Sequence, residues 1–133
     1  LKKRIVKKLD SGARAIITPP VYDLENAKEH WALFEEAKEI SVRDTAKEAH
    51  LILGQFPIVR ARTANFIDDK VPGISVPKPI IDEMNLAAMD GEDKEQEVGF
   101  SLSKRIFDEM MKLHGKVHLM THNRFDLCSD LIG

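Results

Sequence analysis

The pattern of apolar and polar positions along the chain predicts three short strands separated by helices. Residues 51–53, Leu-Ile-Leu, form an apolar run without polar alternation, which is typical of a parallel strand covered on both faces. Pro57 ends this strand because proline cannot donate a hydrogen bond to a central ladder. Pro19 and Pro20 are expected to stop the first strand for the same reason. The predicted strands are residues 15–18, 51–56 and 117–121.

The segments around these strands carry apolar residues at helical spacing. Leu1, Ile5 and Leu9 form a stripe at i, i+4 and i+8, and Asp23 can cap the helix that follows the first strand. Residues 41–44 have the pattern of a capping box, which predicts a further short helix. Helices are predicted at residues 1–9, 24–40, 41–50, 61–66, from 76, 90–114 and 124–132. Strands that alternate with helices indicate an α/β fold.

Composition and charge narrow the class of protein. The 133 residues suit one domain, and 43% hydrophobic and 32% charged residues are ordinary for a soluble globular protein. The net charge of −2 gives no reason to expect nucleic acid or an anionic membrane as a partner. No apolar run approaches the roughly 20 residues that span a bilayer. The single cysteine, Cys128, excludes an internal disulfide and favours a reducing compartment, so we expect a cytoplasmic protein. With no HExxH pattern, no metal site is expected.

Three segments, in order and at compatible spacing, carry a family resemblance. Residues 12–18 and 20–23 read GARAIIT and PVYD, residues 61–84 contain ARTANF, VPGISVP and IIDEM, and residues 117–124 read VHLMTHNR. Together they resemble the methylenetetrahydrofolate reductase family, whose last barrel strand typically ends T-L-N-R. The resemblance runs over nearly the whole chain.

This resemblance implies an α/β fold that is the C-terminal portion of a (βα)8 TIM barrel. Residues 1–133 would form a single domain, an incomplete barrel of about strands 6 to 8 with their helices, because a closed barrel needs about 250 residues. We therefore expect the rest of the barrel in the same polypeptide or in a partner, including a homo-oligomer. The family's catalytic acids come from early strands, so they are expected upstream of Leu1. Residues 36–50 are interpreted as an insertion of unknown use.

The resemblance also implies an activity. The family reduces 5,10-methylenetetrahydrofolate to 5-methyltetrahydrofolate with FAD as cofactor, and NAD(P)H or a redox partner protein is the expected electron donor. This chain would supply part of the FAD and folate site and would be inactive as a fragment alone. Two alternatives keep the fold: a non-catalytic or partner-dependent subunit, and a family member that acts on another C1 carrier. Pro19, His122 and the insertion motivate them.

For the cofactor, the resemblance places Lys8, Lys7 and Arg4 at basic positions that hold the phosphate and ribose portion of FAD. Lysine is a suitable point-charge partner for a diphosphate. The alternative is a solvated helix face, since Lys2 and Lys3 show that lysine is common in this helix.

For the substrate, we expect contacts at the C-terminal ends of the strands, where the working residues of a βα barrel lie. Arg124 falls on the arginine of the family's T-L-N-R motif, which contacts the folate. A guanidinium can bind the folate's glutamate carboxylate bidentately, and an ion pair with Asp126 is the alternative. Thr121 begins the same motif, and His122 replaces its usual leucine.

Pro19 is the clearest departure from the family pattern, which usually has a glutamine there that bonds the pterin ring. Proline offers neither a side-chain donor nor a backbone N–H. Gln55 ends the neighbouring strand and is predicted to supply the missing amide, with a solvent-facing loop glutamine as the alternative. Tyr22 is predicted to stack on a ring system of the ligand, since an aromatic face offers a large apolar platform.

Overall fold

The protein contains a three-stranded sheet whose strands are parallel and are separated by helices. The computed structural model describes residues 1–133. The strands are β1 (Ala15–Pro20), β2 (His50–Gln55) and β3 (Val117–Leu119), arranged in the order β1-β2-β3 with both pairs parallel. The predicted α/β class and the parallel strands are confirmed. Three strands do not close a barrel, and both outer edges of the sheet are unpaired.

Six α-helices surround the sheet. Asp23 caps α2 as predicted, because its Oδ1 accepts a hydrogen bond from the backbone N–H of Asn26 at 2.6 Å. Gly12 and Gly115 follow α1 and α5 at φ +99° and +83°, a region that favours glycine. The helices are α1 (Lys2–Asp10), α2 (Leu24–Ile40), α3 (Ala61–Lys70), α4 (Lys78–Met89), α5 (Glu92–Leu113) and α6 (Phe125–Ile132), and a 3-10 helix (Asp44–Glu48) precedes β2.

The first strand continues through the two prolines that were expected to end it. Pro20 pairs with Gly54, and the register shifts between Ile17 and Pro20. The backbone N–H of Gly54 donates to Thr18 Oγ1 at 2.9 Å, and the N–H of Val21 donates to the Gly54 carbonyl at 3.0 Å. A side-chain oxygen thus replaces a backbone acceptor, so the strand tolerates prolines at the edge of the sheet.

The predicted capping box at residues 41–44 was also wrong. Ser41 ends α2, and its hydroxyl donates to Asp10 Oδ1; it does not accept the hydrogen bond from the N–H of Asp44 that a capping box requires. Asp10 Oδ1 also accepts from the N–H of Val42 at 3.0 Å. The serine therefore ties the end of α2 to the end of α1, and only the 3-10 helix forms before β2.

The main core lies between one face of the sheet and the helices. Leu51 and Leu53 of β2 are buried together with Leu9 of α1, Phe34 of α2 and Met110 of α5. On the other face of the sheet, Ile17 is 48% exposed and Ile52 is only partly buried. The expectation that β2 is covered on both faces therefore holds for one face within this chain. No helix combines the length and the apolar character needed to cross a membrane.

Candidate functional site

The C-terminal ends of the three strands lie side by side and touch. The backbone N–H of Met120, just after β3, donates to the carbonyl of Gln55 at 2.8 Å. Gly54 lies between the two outer strands so tightly that a Cβ there would be 2.4 Å from the Thr18 carbonyl oxygen and 2.8 Å from Met120 Cε. Glycine is therefore required for this approach of the strand ends. Residues at the three ends consequently share one edge of the sheet, as expected.

A cleft of about 350 Å³ opens beside β1 and reaches this edge. Arg4 and Lys8, one helical turn apart on α1, line it together with Thr18, Pro19 and Met120 at the strand ends. The structure thus brings together two of the three predicted cofactor residues and one predicted substrate residue.

The cleft is positively charged. No acidic side chain lines it, and neither Arg4 nor Lys8 forms a salt bridge within the chain. Ile5 and Ile17 add apolar surface beside the two cations. Cations without acidic partners attract anions, and an adjacent apolar wall suits a ring system. Arg4 and Lys8 are the residues that would hold a diphosphate group here.

The third predicted cofactor residue, Lys7, faces away from this cleft. Its side chain is exposed and lines a shallow groove with Ser11 and Gly12 at the opposite end of α1. Lys8 lines both surfaces, whereas Lys7 lines only the groove. The geometry gives Lys7 no contact with the cleft.

Arg124 follows a tight turn at the end of β3. His122 and Asn123 have φ of +44° and +67°, and the N–H of Arg124 donates to the Thr121 carbonyl at 2.7 Å. Non-glycine residues seldom adopt this conformation, so the turn fixes where α6 and Arg124 begin. Arg124 is exposed and forms no salt bridge, so the alternative ion pair with Asp126 is absent. Its exposed guanidinium lines neither the cleft beside β1 nor the one beside β3, so the structure does not bring Arg124 together with Arg4, Lys8 and Pro19 as the resemblance implied.

Thr121 lies on a different surface from the basic cleft. Its side chain is half-buried and lines a second cleft, of about 520 Å³, between β3 and helices α5 and α6. Leu119 and Cys128 line the same surface. Burial raises the pKa of the Cys128 thiol, which the nearby Arg124 partly offsets. The structure therefore separates Thr121 from Pro19, although both follow strand ends.

Two predicted substrate residues lie beneath the sheet edge. Gln55 is buried, and its Nε2 donates to the Ser103 carbonyl in α5 at 3.0 Å. Tyr22 is also buried, its hydroxyl donates to the Phe56 carbonyl at 3.0 Å, and burial raises the pKa of its phenol. Neither side chain is placed to contact a ligand directly. Gln55 points to the same buried face of β2 as Leu51 and Leu53, and Tyr22, which follows β1, is held by its bond to Phe56.

The comparison with protein-family models decides the family. The methylenetetrahydrofolate reductase model matches residues 1–132. The chain belongs to this family. It is therefore a member of an oxidoreductase family of folate-linked one-carbon metabolism. A search of curated proteins gives no significant match.

Three residues on one face of α5 hold the loop after β2, and the sequence analysis did not identify them. Ser103 Oγ donates to the Ile58 carbonyl at 2.9 Å and accepts from the Ile58 N–H at 3.0 Å. One turn earlier, a Cβ at Gly99 would lie 2.5 Å from Val59 Cα. One turn earlier again, Glu95 Oε2 accepts from the N–H of Ala61 at 2.7 Å and caps α3. A glycine within a predicted helix was the available signal of close packing.

His30 is a further residue that the sequence did not indicate. It lies on α2, is 8% exposed and lines the cleft beside Arg4 and Lys8. Because α1 packs on α2, this side chain lines the same cleft as two residues that lie 26 and 22 positions earlier in the sequence. Its position within an amphipathic helix gave no signal of ligand contact.

Proposed function

We propose that this chain forms part of the FAD and folate site of an enzyme that reduces 5,10-methylenetetrahydrofolate to 5-methyltetrahydrofolate. The carrying observation is the cleft in which Arg4 and Lys8 meet the strand ends at Thr18 and Pro19. In the proposed enzyme, residues 1–133 are one incomplete domain of a (βα)8 barrel, about strands 6 to 8. The C-terminal strand ends are the edge at which such barrels hold their active sites.

In this proposal, Arg4 and Lys8 hold the diphosphate of FAD. Both side chains lie on one face of α1 and have no acidic partner, so their charge is available to the phosphoryl oxygens. FAD, when bound, supplies the redox chemistry, and the protein contributes binding and orientation. Ile5 offers apolar surface beside it.

Arg124 binds the carboxylate tail of the folate in this proposal. Its exposure and lack of an ion pair leave its guanidinium available for bidentate binding. Pro19 cannot bond the pterin ring through a side chain, and the buried amide of Gln55 does not replace it. The pterin is therefore held by other groups, and the folate tail contributes more of the affinity.

A second candidate function follows from Pro19. A family member without the pterin-binding amide could be a non-catalytic or partner-dependent subunit, or could act on another C1 carrier. For a family member that acts on another C1 carrier, the proposed electron donor is NAD(P)H or a redox partner protein. In both cases the remaining strands come from the same polypeptide or a partner copy, and the protein works in the cytoplasm.

Anaerobic titration of the purified full-length protein tests the proposal. We expect FAD to bind with a shifted flavin absorbance, and 5-methyltetrahydrofolate to bleach that absorbance by running the reaction in reverse. Bleaching only by a methylated carrier other than the folate would favour a family member that acts on another C1 carrier. A protein that takes up no FAD would contradict the proposed function and favour the non-catalytic subunit.

A further inference from the structure

His118 lies on the face of the sheet that the helices of this chain leave open. In the register of β2 and β3, His118 stands opposite Gly54, which follows Leu53 of the helix-covered face. Side chains of successive strand residues alternate between faces, so the His118 imidazole shares the open face with Ile17 and Ile52. Within this chain the imidazole is exposed.

The surroundings of His118 on the open face are apolar. Met120 covers Gly54, since its Cε lies 2.8 Å from the position that a Cβ of Gly54 would take. The two isoleucines add further apolar surface. The hydrogen bonds that histidine rings make in this chain belong to His50 and His114. The ring of His118 is therefore bonded to no other residue of the chain.

A complete barrel would bury this imidazole. Both outer strands of the sheet are unpaired, and His118 also lines the cleft along the free edge of β3, where the next strand of a barrel would lie. The interior of such a barrel is filled with packed side chains. Buried polar groups are nearly always hydrogen-bonded, and the backbone groups of barrel strands bond to one another. The partners left for His118 are side chains of the remaining strands.

We propose that His118 is an interior polar contact of the complete barrel, whose N–H donates to a side-chain oxygen of a strand outside residues 1–133. The inference rests on the barrel of the proposed function and not on its cofactor. His118 precedes Met120 and the strand end at Thr121, so the contact lies in the layer of interior side chains below the mouth. It fixes the register of the facing strand, because a shift of one residue would move the bonded oxygen out of the interior.

Hydrogen exchange at the C2 position of the histidines tests this burial in the purified full-length protein. Tandem mass spectrometry compares the exchange rate of each histidine with its rate in the urea-unfolded protein. We expect His118 to exchange at least about tenfold more slowly in the folded protein, because the barrel interior excludes solvent. A His118 rate equal to the unfolded rate would overturn the proposal, and this measurement requires no variant.

Thermal unfolding of full-length variants tests the hydrogen bond. His118→Leu should lower the Tm by at least about 2 °C, since it leaves the partner oxygen buried without a donor. His118→Gln keeps an N–H donor and should recover most of that loss. His50→Leu is the matched control and should change the Tm less, because His50 and its contact with Lys116 are exposed at the N-terminal end of β2.

FAD uptake by the same protein separates this inference from the proposed function. Protein that binds FAD while His118 exchanges at the unfolded rate overturns the His118 contact alone. Protein that binds no FAD while His118 is protected and His118→Leu loses stability overturns the proposed function and supports the contact. A His118→Leu variant as stable as the wild type overturns the hydrogen bond, and His118→Phe takes its place if His118→Leu does not fold.

Discussion

Arg124 carries a full charge at the sheet edge without a partner in the chain. An exposed arginine without a partner adds little to folding, since even exposed ion pairs contribute little to the free energy of unfolding. Its position is nevertheless fixed, because the left-handed residues His122 and Asn123 set the start of α6. The turn fixes the backbone of Arg124, and its exposed guanidinium has no partner within the chain.

We expect Arg124→Ala to raise the KM for the folate substrate by roughly 10- to 100-fold with a smaller change in kcat, because the tail contact is made equally in ground and transition states. Steady-state kinetics of the full-length enzyme measures this. Arg14→Ala is the control, since Arg14 is exposed before β1 at the other end of the sheet. Equal KM values for Arg124→Ala and the wild type would remove Arg124 from the site.

The sequence placed Gln55 and Tyr22 near strand ends correctly, but it could not show which way their side chains point. A shift of one residue moves a side chain to the other face of a sheet. The sequence also did not indicate that β1 continues to Pro20. The strand includes both prolines because the Gly54 N–H bonds to Thr18 Oγ1. Arg4 and Lys8 were easier to place, since both follow the regular spacing of a helix.

At the scale of elements, α5 supports the candidate site from behind. Glu95, Gly99 and Ser103 lie at four-residue spacing on α5 and contact the loop between β2 and α3. In the same helix, the Ser103 carbonyl accepts a hydrogen bond from the buried amide of Gln55. The Glu92 carboxylate meets Arg60 at 2.9 Å. The loop after β2 is therefore held by a helix more than 30 residues further along the chain.

Ser103→Ala is expected to lower the free energy of unfolding by about 1–3 kcal/mol, because it leaves the buried N–H and carbonyl of Ile58 without their partner. Chemical denaturation measures the change. Ser101→Ala, on the exposed face of the same helix, should stay within about 0.5 kcal/mol of the wild type. Similar stabilities for the two variants would show that the Ser103 contacts do not hold the loop.

The start of α5 shows why this support could not be found from the sequence. Its acidic residues have the pattern of a solvated helix terminus, and the long helix was predicted from apolar spacing alone. Whether Glu95 meets solvent or the N–H of Ala61 depends on how α3 and α5 lie relative to each other. Local patterns specify helices and strands, whereas the contact between two distant elements is a property of the packed fold.

At the scale of the whole molecule, the sheet is covered by helices on one face, and the strand ends meet a basic cleft. The other face, which includes the 48% exposed Ile17, is the face that a complete barrel would enclose. Membership of the methylenetetrahydrofolate reductase family, which covers residues 1–132, agrees with that arrangement. In the proposed function, the cleft beside β1 binds the anionic part of FAD.

The FAD affinity of charge-reversed variants tests that claim most directly. Lys8→Glu places a negative charge in the cleft, whereas Lys3→Glu makes the same change on α1 outside it. We predict that Lys8→Glu weakens FAD binding by tenfold or more, about 1.4 kcal/mol, and that Lys3→Glu changes it by less than about twofold at the same ionic strength. Equal affinities for the two variants would contradict the account.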